Sequence, residues 1–448
     1  MNSQKPIDQD NPNQLVRKLN LKSAFFVSMG SVIGSGIFLV ASDIAKAVPN
    51  AFVGLLVWLA AGAVSMAGAL LFAELGTMFP KAGGQYVFLR ESFSPNIAFL
   101  FGWTLILVIE AGSIAAVAAA FARFLGKFVP LEHIGLNLSA TAIIVALTLF
   151  NFAGIKRGAQ FLNAVTSFKV VALLGFIFLV FCFGPSGTAT PIKVEWGDIS
   201  LSAFGVALLS AFWAFDGWYN LTFVSEEVVD PEKNIPKASF AGVFTVLILY
   251  VLTSYAYFKV LTLEQIANSS FVAGDAAQIV GGTLGLTIMS LFVIVSVVGC
   301  LNTMILSGAR VIYAMAKDKL FFSTLAVLNK DNHSPNRALL AQMVWSVLLV
   351  WSGSYNQLYT YVVFGAFVFY GLTAYAVIHL RKTKPDIVRP YRAPFYPVLP
   401  VLFVLFSFLF TLNSLFEKPV ESLIGAGIIL SGFPAFYYFR KKYSKGTN

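Results

Sequence analysis

The feature that most constrains this chain is a series of long stretches without any charged residue. They cover residues 47–73, 134–155, 276–309, 338–380 and 393–416. A helix of about 20 apolar residues crosses a bilayer core of about 30 Å, and the longer stretches can hold two such helices. Charged residues make up only 12% of the 448 residues, and 44 phenylalanines exceed what a soluble core could hold. The chain is therefore predicted to be an all-α polytopic membrane protein.

The apolar stretches and the turn residues between them predict twelve transmembrane helices. They lie at 23–47, 51–78, 95–125, 137–154, 159–184, 200–226, 238–260, 282–316, 337–353, 358–380, 394–416 and 419–439. Lysine and arginine are concentrated in the segments that alternate on the side of the two termini, which predicts cytoplasmic termini. The tails are residues 1–22 and 440–448. The net charge of +10 thus reflects membrane topology, and no nucleic-acid partner is expected.

Two of the predicted helices are interrupted in their middle. The first contains VIGSGIF at 32–38, and the sixth contains Asp216-Gly217. Irregular backbone at membrane depth is tolerated only where it lines a cavity enclosed by protein, and paired interruptions at corresponding positions indicate a transporter's substrate site. The pattern predicts two five-helix repeats, 23–184 and 200–380, followed by two further helices at 394–439.

The interruptions provide groups that suit the two ends of an α-amino acid. Free N–H groups near Ser35 and Gly36 favour a carboxylate. Carbonyls at the ends of the preceding half-helices, at 32–33 and 212–213, favour an ammonium group. An alternative is that the glycines only allow close helix packing.

Four stretches carry a resemblance to a known family. They read GSVIGSGIF (30–38), FAELGTMFPKAGGQYVFLRESF (72–93), FWAFDGWYNLTFVSEEVVDPEKNIPKA (212–238) and GCLNTMILSGARVIYAMAKD (299–318). In these the chain resembles the amino acid–polyamine–organocation superfamily, and within it the L-type amino-acid transporters and the bacterial serine/threonine and alanine/serine exchangers. The resemblance implies a leucine-transporter-type 5+5 inverted repeat with helices 1 and 6 broken.

The resemblance also implies a binding site. It implies that the substrate carboxylate binds the backbone of residues 34–36, and that its amine binds carbonyls of Val32, Ile33 and Trp213. Trp213 corresponds to an aromatic gate, and Ser113 lies near the substrate side chain, although the small residues around it also suit close helix packing. The candidate binding residues are Val32, Ile33, Gly34, Ser35, Gly36, Ser113, Phe212, Trp213, Phe215 and Asp216.

Two charged residues lie near the middle of predicted helices, where a charge is costly without a partner or a water-filled cavity. The resemblance places Lys169 where sodium-coupled relatives of the fold hold a sodium ion, joining helix 5 to the broken part of helix 1 and to helix 8. We expect it to make transport sodium-independent and to couple binding to closure; a purely structural tether is the alternative. Glu110 is either a proton site, a neutral hydrogen-bonding group or the ion partner of a lysine.

Other acidic residues are assigned structural roles. Asp216 is predicted to cap the second half of helix 6 by accepting from the N–H of Trp218 or Tyr219. Four carboxylates at predicted cytoplasmic helix ends are expected to pair with basic residues at the same side. The carboxylates are Glu74, Glu226, Glu227 and Asp230, and the basic residues are Lys81, Lys233 and Arg310.

These features predict a sodium-independent exchanger of neutral amino acids; a proton-coupled symporter and a non-transporting amino-acid sensor are the alternatives. An enzyme is not expected, because the sequence has no nucleophile–base or metal constellation, and neither a cofactor nor a metal is expected. L-type light chains carry a cysteine between helices 3 and 4 that links them to a glycoprotein, but residues 126–136 contain none. We therefore expect a monomer without a disulfide-linked heavy chain, in a bacterial plasma membrane.

Overall fold

Helices account for most of the chain in a computed structural model that describes residues 15–185, 189–196, 199–352 and 355–444, the side chains of 355–362 excepted. Among the described residues, ten helical stretches are long and apolar enough to cross a membrane, and two shorter apolar helices, Leu201–Phe215 and Asn336–Trp351, lie between them in the chain. These twelve correspond in order to the twelve predicted spans, and the predicted all-α polytopic fold is confirmed. Residues 1–14 and 445–448 of the predicted tails lie outside the described residues.

Some of the spans are divided into several helices, and short helices connect others. The helices are α1 (Leu21–Val32), α2 (Gly36–Leu39), α3 (Ala41–Ala47), α4 (Ala51–Met78), α5 (Gln85–Ser92), α6 (Pro95–Thr104), α7 (Glu110–Leu125), α8 (His133–Asn151), α9 (Ile155–Phe183), α10 (Leu201–Phe215), α11 (Asn220–Phe223), α12 (Pro231–Val260), α13 (Leu263–Asn268), α14 (Val272–Lys317), α15 (Asn336–Trp351), α16 (Tyr355–Thr383), α17 (Val398–Glu417) and α18 (Pro419–Ser444).

Both predicted interruptions are present. The first span stops at Val32 and resumes at Gly36, so that residues 33–35 connect α1 to α2. The sixth stops at Phe215 and resumes at Asn220, and Gly217 between them has φ +98°. That backbone conformation strongly favours glycine, because a Cβ atom would collide with the neighbouring backbone. The division of the chain into two repeats, 23–184 and 200–380, stays a prediction.

Two helices begin at least seven residues earlier than the apolar pattern predicts. Helix α12 begins at Pro231 rather than at residue 238, and α14 begins at Val272 rather than at 282. Proline is favoured in the first turn of a helix, where its missing N–H has no intrahelical acceptor. Gly282 interrupts α14 with φ +58°, so the predicted start coincides with this break, and an additional helical segment precedes it.

The broken helices lie against long, continuous ones. Helix α12 packs against α1 and α4, and α14 packs against α7 and α9. The backbone of Leu19 pairs with the loop after α11 through N–H and C=O bonds to Glu227 and Val229. The C-terminal part of α18 reaches the loop after α14, where the Tyr443 hydroxyl accepts from the Ser323 N–H. We call this end of the molecule, which holds both ends of the described chain, the terminal face.

Candidate functional site

The two interruptions contact each other directly. The Ser31 hydroxyl at the end of α1 donates to the Gly217 carbonyl at 2.9 Å. The Tyr250 hydroxyl of α12 lies 3.0 Å from the Val32 carbonyl oxygen and 3.2 Å from that of Ala214. A Cβ atom on Gly36 would lie 2.5 Å from the Ala214 Cα. The two unwound segments are therefore packed at backbone distance, and Gly36 is required for this approach.

The segment between α1 and α2 provides unused hydrogen-bond donors. Within the part of the chain that the structure describes, the N–H groups of Gly34, Ser35 and Gly36 donate to no protein acceptor. The Ser35 side chain makes no capping bond at the start of α2. Unpaired N–H groups that point in one direction are suited to bind a carboxylate.

The carbonyls on the other side of the breaks already accept hydrogen bonds. The Val32 carbonyl accepts a hydrogen bond from the Tyr250 hydroxyl at 3.0 Å, and the Ile33 carbonyl accepts one from the Lys169 ammonium group at 2.5 Å. The Trp213 carbonyl accepts the Asp216 N–H at 3.3 Å. The Ile33 carbonyl also accepts from the Ser296 hydroxyl, at 3.4 Å. Because a carbonyl oxygen has two lone pairs, the oxygens of Val32 and Trp213 can accept a second donor, such as an ammonium group.

A small cavity of about 20 Å³ lies between the two breaks. It is lined by Ser31, Val32, Gly34, Ser35, Gly36, Val117, Trp213, Ala214, Asp216, Cys300 and Met304. This volume is close to that needed for one water molecule, so the side chains surround the site closely in this conformation. The sequence singled out Val32, the backbone of residues 34–36, Trp213 and Asp216 among these, whereas the predicted Ile33 does not line the cavity.

The sequence did not single out three side chains of the cavity wall. Val117 follows Ser113 by one helical turn on α7, and Cys300 and Met304 are four residues apart on α14. Residues four apart share a face of a helix. The position of Ser113 on α7 is thus a signal from which Val117 could have been found, whereas the rotation of α14 is set only by tertiary packing.

Several predicted site residues lie behind the cavity wall. Phe212 packs its ring against Phe367, Phe406 and Phe410, and Phe215 packs against Trp58 and Tyr250. The two phenylalanines are three residues apart and share a face of α10 that differs from that of Trp213. Ser113 is buried, and its hydroxyl has no hydrogen-bond partner in the described chain.

Lys169 is fully buried and holds the end of α1. Its ammonium group donates to the carbonyls of Gly30 at 3.1 Å and Ile33 at 2.5 Å. A Cβ atom on Gly299 of α14 would lie 2.9 Å from the Lys169 Cε, so the lysine side chain passes over this glycine. The side chain thus contacts both α1 and α14 from α9. Its role in coupling stays a prediction.

Glu110 begins α7, directly after a π-helical turn at Leu105–Ile109. In this turn the Leu107 carbonyl accepts a hydrogen bond from the Trp345 indole N–H, at 2.8 Å. Such turns are frequent at functional sites. Among the described residues Glu110 makes no ion pair, and one of its carboxylate oxygens has no partner. The ion-partner interpretation is therefore not supported; the proton site and the neutral group remain.

Asp216 does not cap α11 as predicted. The start of α11 has no side-chain cap, and an Asp216 carboxylate oxygen instead accepts from the Tyr370 hydroxyl of α16 at 3.1 Å. The donor lies far away in the sequence, so local capping rules could not identify it. Asp216 also lies close enough to Glu110 for the two carboxyl groups to interact electrostatically.

Ion pairs join helices at the terminal face. Glu227 forms a buried pair with Arg310, at 2.9 Å and 3.2 Å, as predicted. Glu74 pairs instead with Arg381 of α16. Glu226 accepts from the Ala82 N–H and lies 3.9 Å from Lys317. Neither Lys81 nor Lys233 forms an ion pair within the described residues.

A metal ion would need several ligating side chains close together. The histidine, cysteine, aspartate and glutamate side chains of the described chain form no cluster of three. The cavity wall offers peptide N–H and C=O groups, two serine hydroxyls, the Cys300 thiol and the Asp216 carboxyl group. These groups can bind a zwitterion by hydrogen bonds and charge.

Comparison with known proteins gives matches over nearly the whole chain. Residues 19–438 match the family model of amino acid permeases. The b(0,+)-type amino acid transporter 1 of Mus musculus is 30% identical over 436 residues, which is 95% of this chain and 88% of that protein. The large neutral amino acids transporter small subunit 2 of Mus musculus is 30% identical over 436 residues, covering 94% and 81%. The cystine/glutamate transporter of Homo sapiens is 29% identical over 432 residues, covering 95% and 86%.

Proposed function

The chain belongs to the amino acid permease family, and from this premise we propose that it exchanges neutral L-α-amino acids across a membrane by alternating access. The observation that carries the proposal is the set of unused N–H groups at Gly34, Ser35 and Gly36, which line the cavity between the two breaks. They can bind the carboxylate that all α-amino acids share. The carbonyls of Val32 and Trp213 are available to the amine on the opposite side.

A neutral substrate side chain is supported by the rest of the wall. Val117, Cys300 and Met304 also line the cavity, and their side chains are apolar or weakly polar. Asp216 is the exception, because its carboxyl group also lines the cavity. It already accepts from Tyr370, which reduces its capacity to bind a cationic side chain. Lysine and arginine therefore belong in the substrate panel as the direct test of this point.

Sodium-independent transport is supported by Lys169. Its ammonium group occupies the carbonyls of Gly30 and Ile33, which are the type of oxygen ligand that a sodium ion would need. A bound cation and the lysine ammonium would compete for these oxygens.

We further propose that the termini are cytoplasmic, that the membrane is a bacterial plasma membrane, and that the chain acts as a monomer.

A heavy-chain partner is not part of this proposal. One relative is named as a small subunit, but the two cysteines of this chain, Cys182 and Cys300, lie at the end of α9 and within α14. Neither falls in residues 126–136.

Proton symport is the second candidate, and the buried Glu110 with its unpaired carboxylate oxygen supports it. A protonatable group at this depth could carry one proton with each substrate. The two functions differ in their driving force, since a symporter accumulates substrate into empty vesicles under a pH gradient and an exchanger does not.

Counterflow in proteoliposomes tests both candidates. The purified chain is reconstituted with each of the twenty amino acids inside, and uptake of a labelled neutral amino acid is measured with and without sodium and a pH gradient. We expect uptake only into vesicles preloaded with a neutral amino acid, unchanged by sodium. Uptake into unloaded vesicles that requires a pH gradient would favour symport. Binding without any uptake would favour a sensor.

A further inference from the structure

A second cavity, of about 560 Å³, opens at the terminal face and shares no residue with the substrate cavity. It lies where the end of α5, the start of α6, the end of α14 and the last turns of α18 meet. Its polar wall is formed by Arg90, Asn96, Asp318 and Arg440, and its apolar wall includes Leu320 and Phe436. Since a water molecule takes about 30 Å³ of liquid volume, this cavity has room for a polyatomic group.

One guanidinium group of the wall is not neutralised by a carboxylate in the part of the chain that the structure describes. Asp318 accepts from the Tyr86 hydroxyl at 2.8 Å and pairs with Arg90, which also pairs with Glu91 at 2.7 Å. The Asp318 carboxylate is thus already paired with side chains of α5. Arg440, by contrast, pairs with no carboxylate among the described residues. A guanidinium group binds phosphate oxygens through two parallel N–H bonds, so the unpaired Arg440 suits a phosphate.

The surface next to the cavity is apolar and aromatic. Phe433, Tyr437 and Arg440 stand at positions i, i+4 and i+7 of α18 and therefore share one face of the helix. Phe433 and Tyr437 are 41% and 60% exposed. Aromatic side chains followed by basic ones are typical of the level where a transmembrane helix leaves the hydrocarbon core. A ligand whose polar end binds Arg440 would thus have its remaining part in contact with an apolar surface.

We propose that this cavity binds the phosphate headgroup of an anionic phospholipid, with Arg440 on the phosphate and the acyl chains along Phe433 and Tyr437. The same oxygens could come from free phosphate, but a soluble ion would make no use of the exposed aromatic surface. An anionic lipid is preferred over a zwitterionic one, because Arg90 is already paired with Glu91 and Asp318 and the positive charge left for a ligand is that of Arg440. The bound lipid would join α18 to the ends of α5 and α14.

Lipid binding to the purified full-length chain tests the proposal. Native mass spectrometry measures the occupancy of phosphatidylglycerol and of phosphatidylcholine on the wild type, Arg440→Gln and Lys441→Gln. Lys441 is the matched control, because it is the adjacent exposed residue, carries the same charge and does not line the cavity. We expect Arg440→Gln to lower phosphatidylglycerol occupancy at least threefold, while Lys441→Gln leaves it unchanged and phosphatidylcholine binds less in all three proteins.

Three results would overturn the proposal. An equal loss in both variants would mean that the lipid senses only the general charge of the terminal face. Equal binding of the two lipids would mean that the arginine charge does not select the headgroup. Binding of inorganic phosphate that displaces the lipid at low millimolar concentration would identify a free-anion site. Arg440 makes no ion pair among the described residues, so its variant is expected to fold, and thermal unfolding of each protein verifies this. Arg440→Lys, which keeps the charge but loses the two parallel N–H donors, serves as a second variant.

Discussion

At the scale of single residues, the molecule depends on a few polar groups that are enclosed by apolar helices. Lys169 is the best example, because its ammonium group is fully buried and its partners are two backbone carbonyls of an interrupted helix. Its location in the middle of an apolar span could be read from the sequence. The identity of its partners could not, since Gly30 and Ile33 are brought to it by the packing of α1 against α9.

Replacing Lys169 by glutamine is expected to slow exchange at least tenfold. The variant loses charge-assisted hydrogen bonds worth about 1.5–3 kcal/mol, and about 1.4 kcal/mol corresponds to a factor of ten. The measurement is the initial rate of counterflow at equal protein density. Lys237→Gln, an exposed lysine of α12, serves as the control. An unchanged rate and substrate affinity in Lys169→Gln would show that the lysine has no part in coupling.

Glu110 allows a second test at this scale. If the chain is an exchanger and Glu110 is a neutral hydrogen-bonding group, Glu110→Gln keeps the shape and the hydrogen-bonding capacity of the side chain. We then expect counterflow within about twofold of the wild type, since surface and isosteric changes rarely exceed about 0.5 kcal/mol. The rates are compared with and without an imposed pH gradient. Loss of a gradient-driven component only in Glu110→Gln would identify it as a proton site instead.

At the scale of helices, hydropathy predicted most of the architecture. The second span, predicted at 51–78, coincides with α4, and both broken helices were located from glycine and aspartate within apolar runs. The short helix α5 and the π-helical turn before Glu110 were not predicted. Helix α5 is amphipathic and lies between spans, and the π-helical turn depends on Trp345 of another helix. Such features need tertiary contacts that a single segment does not encode.

The contact between the two broken helices makes Gly36 sensitive to a single methyl group. A Cβ atom there would lie 2.5 Å from Ala214 Cα and 2.7 Å from its Cβ. Overpacking of this kind costs about 1–3 kcal/mol, so Gly36→Ala is expected to reduce transport about tenfold. Gly175→Ala is the control, because nothing lies within 4 Å of a Cβ atom at that position of α9. Equal transport in both variants would contradict the close approach of α2 to α10.

The Glu227–Arg310 pair is the connection between elements that we expect to matter most for stability. Both side chains are buried, Arg310 also donates to the Leu306 carbonyl, and the Glu227 carbonyl accepts two N–H groups from residues 18–19. Removing one partner of a buried pair costs about 3–5 kcal/mol. Glu227→Gln should therefore lower the thermal unfolding temperature clearly.

An exposed ion pair provides the comparison for Glu227→Gln. Lys317 is 47% exposed and lies 3.9 Å from Glu226, and such surface pairs contribute about 0–1 kcal/mol. Lys317→Gln is thus expected to change the unfolding temperature only slightly. Similar shifts in the two variants, measured in the same detergent, would mean that the buried pair does not hold the terminal face together.

At the scale of the whole molecule, family membership and architecture agree. The match to amino acid permeases over residues 19–438 confirms the prediction of an amino-acid transport protein rather than an enzyme. Two properties of the structure are relevant to how such a protein works. The cavity between the breaks has a volume that holds about one water molecule. At the terminal face, ion pairs join α14 and α16 to neighbouring segments. Alternating access requires that both change together.

Cys300 offers a direct test of that linkage, because its thiol lines the cavity and is only 2% exposed. The chain has two cysteines, so Cys182→Ser leaves Cys300 as the single target for N-ethylmaleimide. Alkylation should be slow in the closed conformation and should change at least threefold with saturating substrate. Adding Glu227→Gln should accelerate it by weakening the terminal face, whereas adding Lys317→Gln should not. If the alkylation rate is the same under all of these conditions, the terminal face and the cavity do not move as one system, and opening of the site must be controlled elsewhere in the molecule.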